Sequence, residues 1–269
     1  MTHPTLLRHN VQVIGDGPRT LVLAHGFGCD QSIWRHVTPA LATQHRVVLF
    51  DHVGHGESDP RAFDPVRHST LNGYAQDIAQ ISEALDLHDA VLVGHSVSAM
   101  IGMLAISKAP ERFSQLVMLS PSPCFLNHPA DGYVGGFERQ DLEELLQLMD
   151  NNYTGWAAYL APVVGGGVHQ PEASAEMQVR FCALNPDVAQ TFARATFFTD
   201  LREELPSFTT HTLIVQCEHD ALAPLSVGDY MHRVMPNTEL HTLPAYGHCA
   251  QLSHPKETVA LVETFISVV

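Results

Sequence analysis

The sequence predicts an α/β protein with a mostly parallel sheet flanked by helices and a helical insertion in the second half of the chain. Short continuous apolar runs alternate with segments of helical periodicity, as in parallel sheets that are covered on both faces. One long stretch, 121–205, interrupts this alternation with helical patterns alone. A chain of 269 residues with 45% hydrophobic residues can bury a large core as a single domain.

The strands are predicted from runs of branched apolar residues, which pack well on a sheet that is covered on both sides. A tight turn at 15–18 separates the first strands. Buried strands are expected at 21–24, 47–50, 90–93, 116–119 and 213–215, and the last strand at 239–243. Helical spacing of apolar residues predicts one helix from Leu71 to Leu85 and another that follows Pro255, a residue suited to a first helical turn.

The insertion is predicted to form a helical subdomain, here called the lid (about 124–205), within one domain that spans 1–269. The segments 140–151 and 187–198 have helical patterns, and the glycines at 165–167 are expected to form a flexible loop. A helical insertion between two strands of such a sheet is typical of a lid over a pocket. The alternative is a second helical layer with no gating role.

A nucleophile is predicted at Ser96, between a buried strand and a helix. The segment 94–98 reads Gly-His-Ser-Val-Ser, close to the Gly-x-Ser-x-Gly turn that exposes a serine in a strained backbone conformation. Serine in place of the last glycine is a mild departure, because both residues are small. The helix that follows would direct its free amides to the same point, so the Val97 N–H is expected to bind an oxyanion. An ordinary turn serine is the alternative.

The second oxyanion donor is expected after the first strong strand, where 25–28 reads His-Gly-Phe-Gly. The backbone N–H of Phe27 would donate, and the flanking glycines would let the loop approach the substrate. For His25 we favour a packed, hydrogen-bonded structural role over a catalytic one. The histidines of 51–58 do not have the spacing of a metalloprotease helix or a zinc finger, so they too are expected to be structural.

The acid and the base are expected after the last two strands, in the chain order serine, acid, histidine. Asp220 and His248 occupy those loops, while Glu218 and His254 are the alternatives. Serine needs a base to take its proton, and imidazole titrates near neutral pH. The carboxylate fixes the tautomer of the imidazole and stabilises the imidazolium. The predicted catalytic triad is therefore Ser96, Asp220 and His248, with no metal or cofactor.

The pocket is expected to be apolar, because aromatic residues lie in or beside the lid. Such aromatics are more often part of a core than of a ligand site. The predicted lining consists of Phe27, His95, Phe125, Phe137, Trp156 and Phe197.

Composition restricts the partners and the compartment. The formal net charge of −15 disfavours binding to nucleic acid or to anionic membranes. Five scattered cysteines without a Cys-x-x-Cys pair favour reduced thiols, and the first ten residues do not have the pattern of a signal peptide. The longest apolar stretch, 90–106, is too short and too polar to cross a bilayer. We expect a cytoplasmic monomer or weak dimer.

Distinctive motifs lie along nearly the whole chain, at 25–28, 51–56, 94–102, 120–124, 135–137, 152–156 and 247–248. Through these motifs the chain resembles a known family, the α/β-hydrolases that include the bacterial stress-response regulator RsbQ and the plant karrikin and strigolactone receptors. The bacterial member is the more similar. The resemblance implies the α/β-hydrolase fold, a four-helix lid, a hydrophobic pocket over Ser96 and slow hydrolysis of a small apolar ester or lactone. It also implies a possible regulatory phosphatase partner.

Two functions follow from these predictions. The first is a serine hydrolase that cleaves a small apolar ester or lactone through an acyl-serine intermediate. The second is a ligand-sensing protein, similar to RsbQ, that regulates a phosphatase and hydrolyses its ligand slowly or incidentally. An intact triad disfavours a non-catalytic binding module, and a serine nucleophile excludes an aspartate-based dehalogenase. Carbon–carbon hydrolysis and cofactor-free perhydrolysis can use the same triad and stay open.

Overall fold

A computed structural model describes residues 3–267 of the chain and contains one seven-stranded sheet in that range. Most strands are built on a run of apolar residues, and the central strands are almost completely buried. The strands are β1 (Gln12–Ile14), β2 (Arg19–Ala24), β3 (His45–Leu49), β4 (Ala90–His95), β5 (Phe113–Leu119), β6 (His211–His219) and β7 (Thr238–Tyr246).

The order of the strands across the sheet is β1-β3-β2-β4-β5-β6-β7. Only β1 runs antiparallel to its neighbour, and the other five pairings are parallel. The carboxyl ends of the parallel strands therefore meet at one edge of the sheet, where α/β proteins bind their ligands.

Eleven α-helices accompany the sheet within the described residues. Four of them, α5 to α8, come between β5 and β6 and form most of the lid. The helices are α1 (Pro4–Arg8), α2 (Thr38–Leu41), α3 (Leu71–Ala84), α4 (Val97–Lys108), α5 (Arg139–Asn151), α6 (Tyr153–Gly165), α7 (Pro171–Ala183), α8 (Pro186–Phe197), α9 (Leu225–Val234), α10 (Ala250–Ser253) and α11 (Pro255–Ile266).

The predicted fold class is confirmed: the sheet is mostly parallel and helices flank it. Every predicted strand overlaps an observed one. Strands β6 and β7 extend beyond the predicted ranges because further residues, such as His211 and Thr238, also pair in the sheet. The four helices agree with the helical patterns predicted for the insertion. The role of this segment as a lid stays a prediction.

The lid helices pack on one another and on the end of the sheet through apolar side chains. Helix α6 contacts both α5 and α7, and α5 also contacts α8. Leu142, Leu146 and Met149 on α5 recur at helical spacing and are buried, while the charged residues of that helix are exposed. In the part of the chain that the structure describes, no helix has the length and apolar character needed to span a membrane.

Candidate active site

Ser96 lies at a sharp turn between β4 and α4, at the carboxyl edge of the sheet. Its backbone has φ 57° and ψ −126°, a strained conformation for a residue other than glycine. The turn is so tight that a Cβ atom on Gly94 would lie 2.3 Å from the Ser98 carbonyl oxygen, which explains the glycine at this position. The Ser96 N–H donates to the Leu119 carbonyl at 2.8 Å, which ties the turn to the end of β5. This is the geometry of a nucleophile elbow.

The Ser96 hydroxyl begins a chain of hydrogen bonds that contains the predicted base and acid. Its Oγ lies 2.7 Å from Nε2 of His248, and Nδ1 of His248 lies 2.6 Å from Oδ2 of Asp220. The three residues follow β4, β7 and β6, and at least nine-tenths of each is buried. The structure therefore brings together the three residues that the sequence predicted as a triad.

Asp220 is held in place by the backbone of its own loop. Its Oδ1 accepts from the N–H groups of Leu222 at 2.9 Å and Ala223 at 3.2 Å, which leaves Oδ2 for the imidazole. The residues predicted as the alternative acid and the alternative base do not join this hydrogen-bonded chain. Glu218 is exposed, and His254 precedes α11 with its Nδ1 2.8 Å from the Ser253 hydroxyl.

Two backbone amides next to Ser96 remain available to bind an oxyanion. Val97 is the first residue of α4, and Phe27 lies in the loop after β2. Across residues 3–267, neither amide takes part in a hydrogen bond within the protein. Free amides at a helix N-terminus and in a loop at the carboxyl edge of the sheet suit a developing negative charge.

His25 fixes the peptide group that carries the Phe27 amide. The His52 N–H donates to Nε2 of His25 at 3.0 Å, so Nδ1 carries the proton and donates to the Gly26 carbonyl at 2.9 Å. That carbonyl and the Phe27 N–H belong to the same planar peptide group. Burial lowers the pKa of His25, which keeps the ring neutral. His25 therefore has the structural role that the sequence favoured, beside a candidate oxyanion donor.

Ser98, which replaces the usual glycine of the motif, connects the nucleophile elbow to the same loop. Its hydroxyl donates to the His25 carbonyl, and it lies 2.8 Å from Nε2 of His52, which donates to it. All three residues are completely buried. The sequence marked this position only as small, whereas the structure gives its hydroxyl two partners.

His95 is hydrogen-bonded to the backbone of His248, the predicted base. Its Nε2 donates to the His248 carbonyl at 3.0 Å, so its Nδ1 is unprotonated. Burial, and to a smaller extent the neighbouring His248, lower the pKa of His95 to about 3. His95 is therefore a neutral neighbour of the candidate triad.

The lid contacts the histidine of the candidate triad directly. The His248 N–H donates to the Val164 carbonyl of α6 at 2.8 Å. A Cβ atom on Gly247 would lie 2.7 Å from the carbonyl carbon of Gly165, so glycine is required for this close approach. The glycines at 165–167, which the sequence predicted as a flexible loop, instead end α6 and begin a short 3-10 turn against this loop.

A small, nearly closed cavity of about 20 Å³ lies over Ser96. Such a volume holds roughly one or two water molecules. Twelve residues from the sheet loops and the lid line this cavity: Phe27, His95, Ser96, Phe125, Leu160, Val164, Met177, Phe181, Thr196, Phe197, Leu222 and His248.

Comparisons with known proteins agree with this geometry. A family model described as "Alpha/beta hydrolase family" matches residues 21–261. The chain belongs to the alpha/beta hydrolase family. Its structure is similar to that of a hydrolase from Oleispira antarctica, with a TM-score of 0.97 and 46% identity over 99% of this chain and 97% of the other.

Two plant relatives of this hydrolase are named as a receptor and as an esterase. It is 40% identical to the karrikin insensitive 2 receptor IA of Petunia hybrida over 96% of this chain and 93% of the relative. It is also 39% identical to the strigolactone esterase D14 of Arabidopsis thaliana over 95% of each chain. The resemblance to karrikin and strigolactone receptors is confirmed, and the predicted enzyme class, a hydrolase of carboxylic esters, agrees with these names.

The structure brings four of the six predicted pocket residues of the hydrolase to the cavity and places two elsewhere. Phe27, His95, Phe125 and Phe197 line it. Phe137 instead lines a groove on the outside of the lid. Trp156 is completely buried within the lid, with its ring 5.2 Å from that of Phe181. The pocket prediction is therefore corrected at Phe137 and Trp156.

The outer groove has a volume of about 540 Å³ and adjoins the cavity. Leu160 and Leu222 line both spaces and therefore form part of the wall between them. The acidic residues Asp141 and Glu144 lie among the groove residues. Sequence reasoning missed this wall, because nothing in an apolar helix such as α6 indicates which of its side chains face a cavity.

Among residues 3–267, one group of side chains of the types that bind metals lies outside the cavity. Donor atoms of Cys124, His128 and Asp200 lie within 4.8 Å of one another. Arg202 pairs with Asp200, and its Nη2 lies 2.7 Å from the carboxylate. That guanidinium already neutralises the carboxylate, so the group is an ion-pair cluster at the base of the lid.

Proposed function

We propose that the chain is a serine hydrolase that cleaves a small, largely apolar ester or lactone through an acyl-serine intermediate. The observation that carries the proposal is the continuous hydrogen-bonded chain from Ser96 through His248 to Asp220 beneath an apolar cavity. Serine, base and acid in this arrangement form the working parts of an acyl-transfer site.

The first half of the reaction forms the acyl-enzyme. Nε2 of His248 takes the proton of Ser96 as Oγ attacks the ester carbonyl carbon. The amides of Phe27 and Val97 stabilise the oxyanion, and Asp220 stabilises the imidazolium. The imidazolium then gives its proton to the leaving alkoxide, the carbon–oxygen bond breaks, and the acyl group stays on Ser96.

The second half returns the free enzyme. His248 takes a proton from a water molecule as the water attacks the acyl carbonyl carbon. This attack forms a second oxyanion. That intermediate collapses, the bond to Ser96 Oγ breaks, and the imidazolium returns the proton to the serine. The products are a carboxylic acid and an alcohol, or one hydroxy acid when the substrate is a lactone.

Substrate entry requires movement of lid side chains. A cavity of about 20 Å³ is far smaller than an ester, whereas ligand pockets span roughly 300–1,000 Å³. Leu160 and Leu222 border both the cavity and the 540 Å³ groove, so we propose that the substrate enters between them.

The test is hydrolysis of short-chain p-nitrophenyl esters by the wild type and by Ser96→Ala. Turnover by the wild type that is lost in the variant supports the proposal. Equal turnover by the two proteins contradicts it.

The second candidate function is ligand sensing with slow hydrolysis. In this function the protein, with a ligand bound beneath its lid, regulates a phosphatase partner. Two observations favour it: the nearly closed cavity, and the receptor name of the Petunia hybrida relative. A rapid burst of p-nitrophenol equal to one per protein, followed by very slow turnover, supports sensing. Fast steady-state turnover supports a metabolic esterase.

A further inference from the structure

The hydroxyl of Thr196 is a buried polar group without a partner. Thr196 lies in the last turn of α8, lines the cavity over Ser96 and is 4% exposed. Its Oγ1 has no hydrogen-bond partner among residues 3–267. A buried hydroxyl left in this state destabilises the folded protein, so its position calls for a physical reason.

Neighbouring threonines behave differently. The hydroxyl of Thr191 donates to the Asp187 carbonyl at 3.0 Å, and that of Thr199 donates to the Ala195 carbonyl at 2.7 Å. Both bonds reach back four residues, as threonine commonly does on a helix. Thr196 alone of the three lines the cavity, and it does not form this bond.

Polar groups are scarce on the rest of the cavity wall. Eight of its twelve residues have apolar side chains. Ser96 and His248 are bonded to each other, and the ring N–H of His95 is bonded to the His248 carbonyl. Among the side chains of this wall, the Thr196 hydroxyl is therefore the donor that no protein group uses.

We propose that Thr196 determines substrate specificity by donating a hydrogen bond to an oxygen of the substrate other than the scissile carbonyl. The preferred substrate class is then an uncharged ester or lactone that carries a second oxygen acceptor, such as an ether, a hydroxyl or another carbonyl. This inference rests on the proposed function and narrows its substrate.

The residues of the same cavity wall are the reason to expect an uncharged substrate. None of its twelve residues is a lysine, arginine, aspartate or glutamate. An ionic group in this closed, apolar space would lose its hydration without gaining a counter-ion. A neutral oxygen acceptor would gain the Thr196 hydroxyl as its partner.

The test compares pairs of p-nitrophenyl esters of equal length. One member has a hydrocarbon acyl chain, and the other has an ether oxygen in place of one methylene, at each position along the chain in turn. We expect Thr196→Val, which keeps the side-chain shape, to lower kcat/KM for at least one ether ester by about tenfold and to spare its hydrocarbon partner. For each protein we take the ratio of kcat/KM for the ether ester to kcat/KM for its hydrocarbon partner. Comparing this ratio between the variant and the wild type cancels the difference in intrinsic reactivity between the two esters.

Two control variants show whether a change in this ratio depends on the hydroxyl of Thr196. Thr196→Ser keeps the hydroxyl and is expected to retain the wild-type ratio. Thr199→Val removes a hydroxyl that is bonded within the protein and is also expected to leave the ratio unchanged. Since each ratio is measured on one folded sample, partial loss of folded protein does not alter it.

The inference is overturned if Thr196→Val leaves the ratio unchanged at every ether position, or if it lowers both esters equally. Ser96→Ala separates this outcome from failure of the proposed function. If that variant loses activity on every ester while Thr196→Val changes no ratio, only the specificity inference fails. If Ser96→Ala retains activity, the proposed function itself fails.

Discussion

The loops that follow the parallel strands supply nearly all of the polar groups of the site, whereas the lid supplies mostly apolar ones. Ser96, Asp220 and His248 follow β4, β6 and β7 and are hydrogen-bonded to one another. The lid contributes side chains such as Phe181 and Phe197 to the same cavity. We therefore propose that the sheet loops carry the chemistry and that the lid selects the substrate.

The sheet loops and the lid meet at His248, the predicted base. The bond from the His248 N–H to the Val164 carbonyl and the contact of Gly247 with Gly165 join the loop after β7 to α6. A change in the sheet loops should therefore alter kcat for every substrate. A change in the lid should alter which substrate is preferred.

The largest effect is expected for Ser96→Ala. Removal of the nucleophile should lower kcat by about five to six orders of magnitude, since the members of a triad act as a unit. Steady-state hydrolysis of a p-nitrophenyl ester measures the loss. Ser107→Ala is the control, because this residue lies near the other end of α4 and its hydroxyl donates to the Met103 carbonyl. A loss of similar size in the control would show that damage to the helix, not to the nucleophile, is responsible.

Asp220→Asn should have the next largest effect. An amide in place of Oδ2 favours the wrong tautomer of His248, and comparable changes lower kcat by about 10⁴-fold. The exposed alternative acid provides the control, since Glu218→Gln should leave kcat unchanged. If Glu218→Gln were the damaging change, the assignment of the acid would be wrong.

Ser98→Ala should have a smaller but specific effect. Without its hydroxyl, the His25 carbonyl and the His52 ring lose a shared partner, and the loop that carries the Phe27 amide is less well fixed. We expect kcat to fall by about tenfold, and the affinity for a boronic acid analogue of the tetrahedral intermediate to fall equally, with little change in KM.

Ser82→Ala is the control for loss of a buried serine hydroxyl, because Ser82 donates to the Ala79 carbonyl within α3. It should lower stability without lowering kcat. A Ser98→Ala variant that loses stability but keeps its kcat and its affinity for the analogue would contradict a positioning role.

Acid should destabilise the sheet region through its buried histidines. Burial lowers the pKa of His25, His52, His55 and His95, to about 3 for the last two. The unfolded chain titrates these groups near pH 6.5 and so binds more protons below that value. The free energy of unfolding should therefore fall between about pH 6.5 and pH 3, by roughly 1.4 kcal/mol per pH unit for each histidine that stays neutral.

Urea unfolding at several pH values measures this slope. The variant His55→Gln should reduce the slope by the contribution of one histidine. His88→Gln, at an exposed position, should leave it unchanged. A free energy of unfolding that stays constant below pH 6.5 would contradict the account.

The smallest effect is expected in the lid, at the wall between the groove and the cavity. Leu160→Ala should raise kcat/KM for longer acyl chains relative to short ones by about three- to tenfold, because it widens the passage to Ser96. Leu145→Ala removes a side chain that lines the groove only, so it should not alter the preference. An equal shift in both variants would mean that Leu160 is not part of the passage.

The central sheet and the predicted triad could be read from the sequence because their signals are local and ordered. Strands β2 to β6 each contain a continuous apolar run, and Ser96, Asp220 and His248 each follow a strand in the expected chain order. The loops need only the strand direction to converge at one edge of the sheet.

The lining of the cavity could not be predicted in the same way. Helix α6 is apolar on most of its surface, so its pattern does not show that Leu160 faces the cavity while Trp156 lies inside the lid. Thr196 appears in the sequence as one polar residue on a helix, and only the packing of α8 over Ser96 makes it significant. The partners of Ser98 come from residues far along the chain, which spacing alone does not reveal.

The most direct test of the central claim is mass spectrometry of the protein after reaction with a fluorophosphonate. The account predicts a single covalent adduct, which peptide mapping assigns to Ser96, and none on the Ser96→Ala variant. Asp220→Asn should form the same adduct more slowly. An adduct on another residue, or equal labelling of Ser96→Ala, would contradict the claim that Ser96 is the nucleophile of this hydrolase.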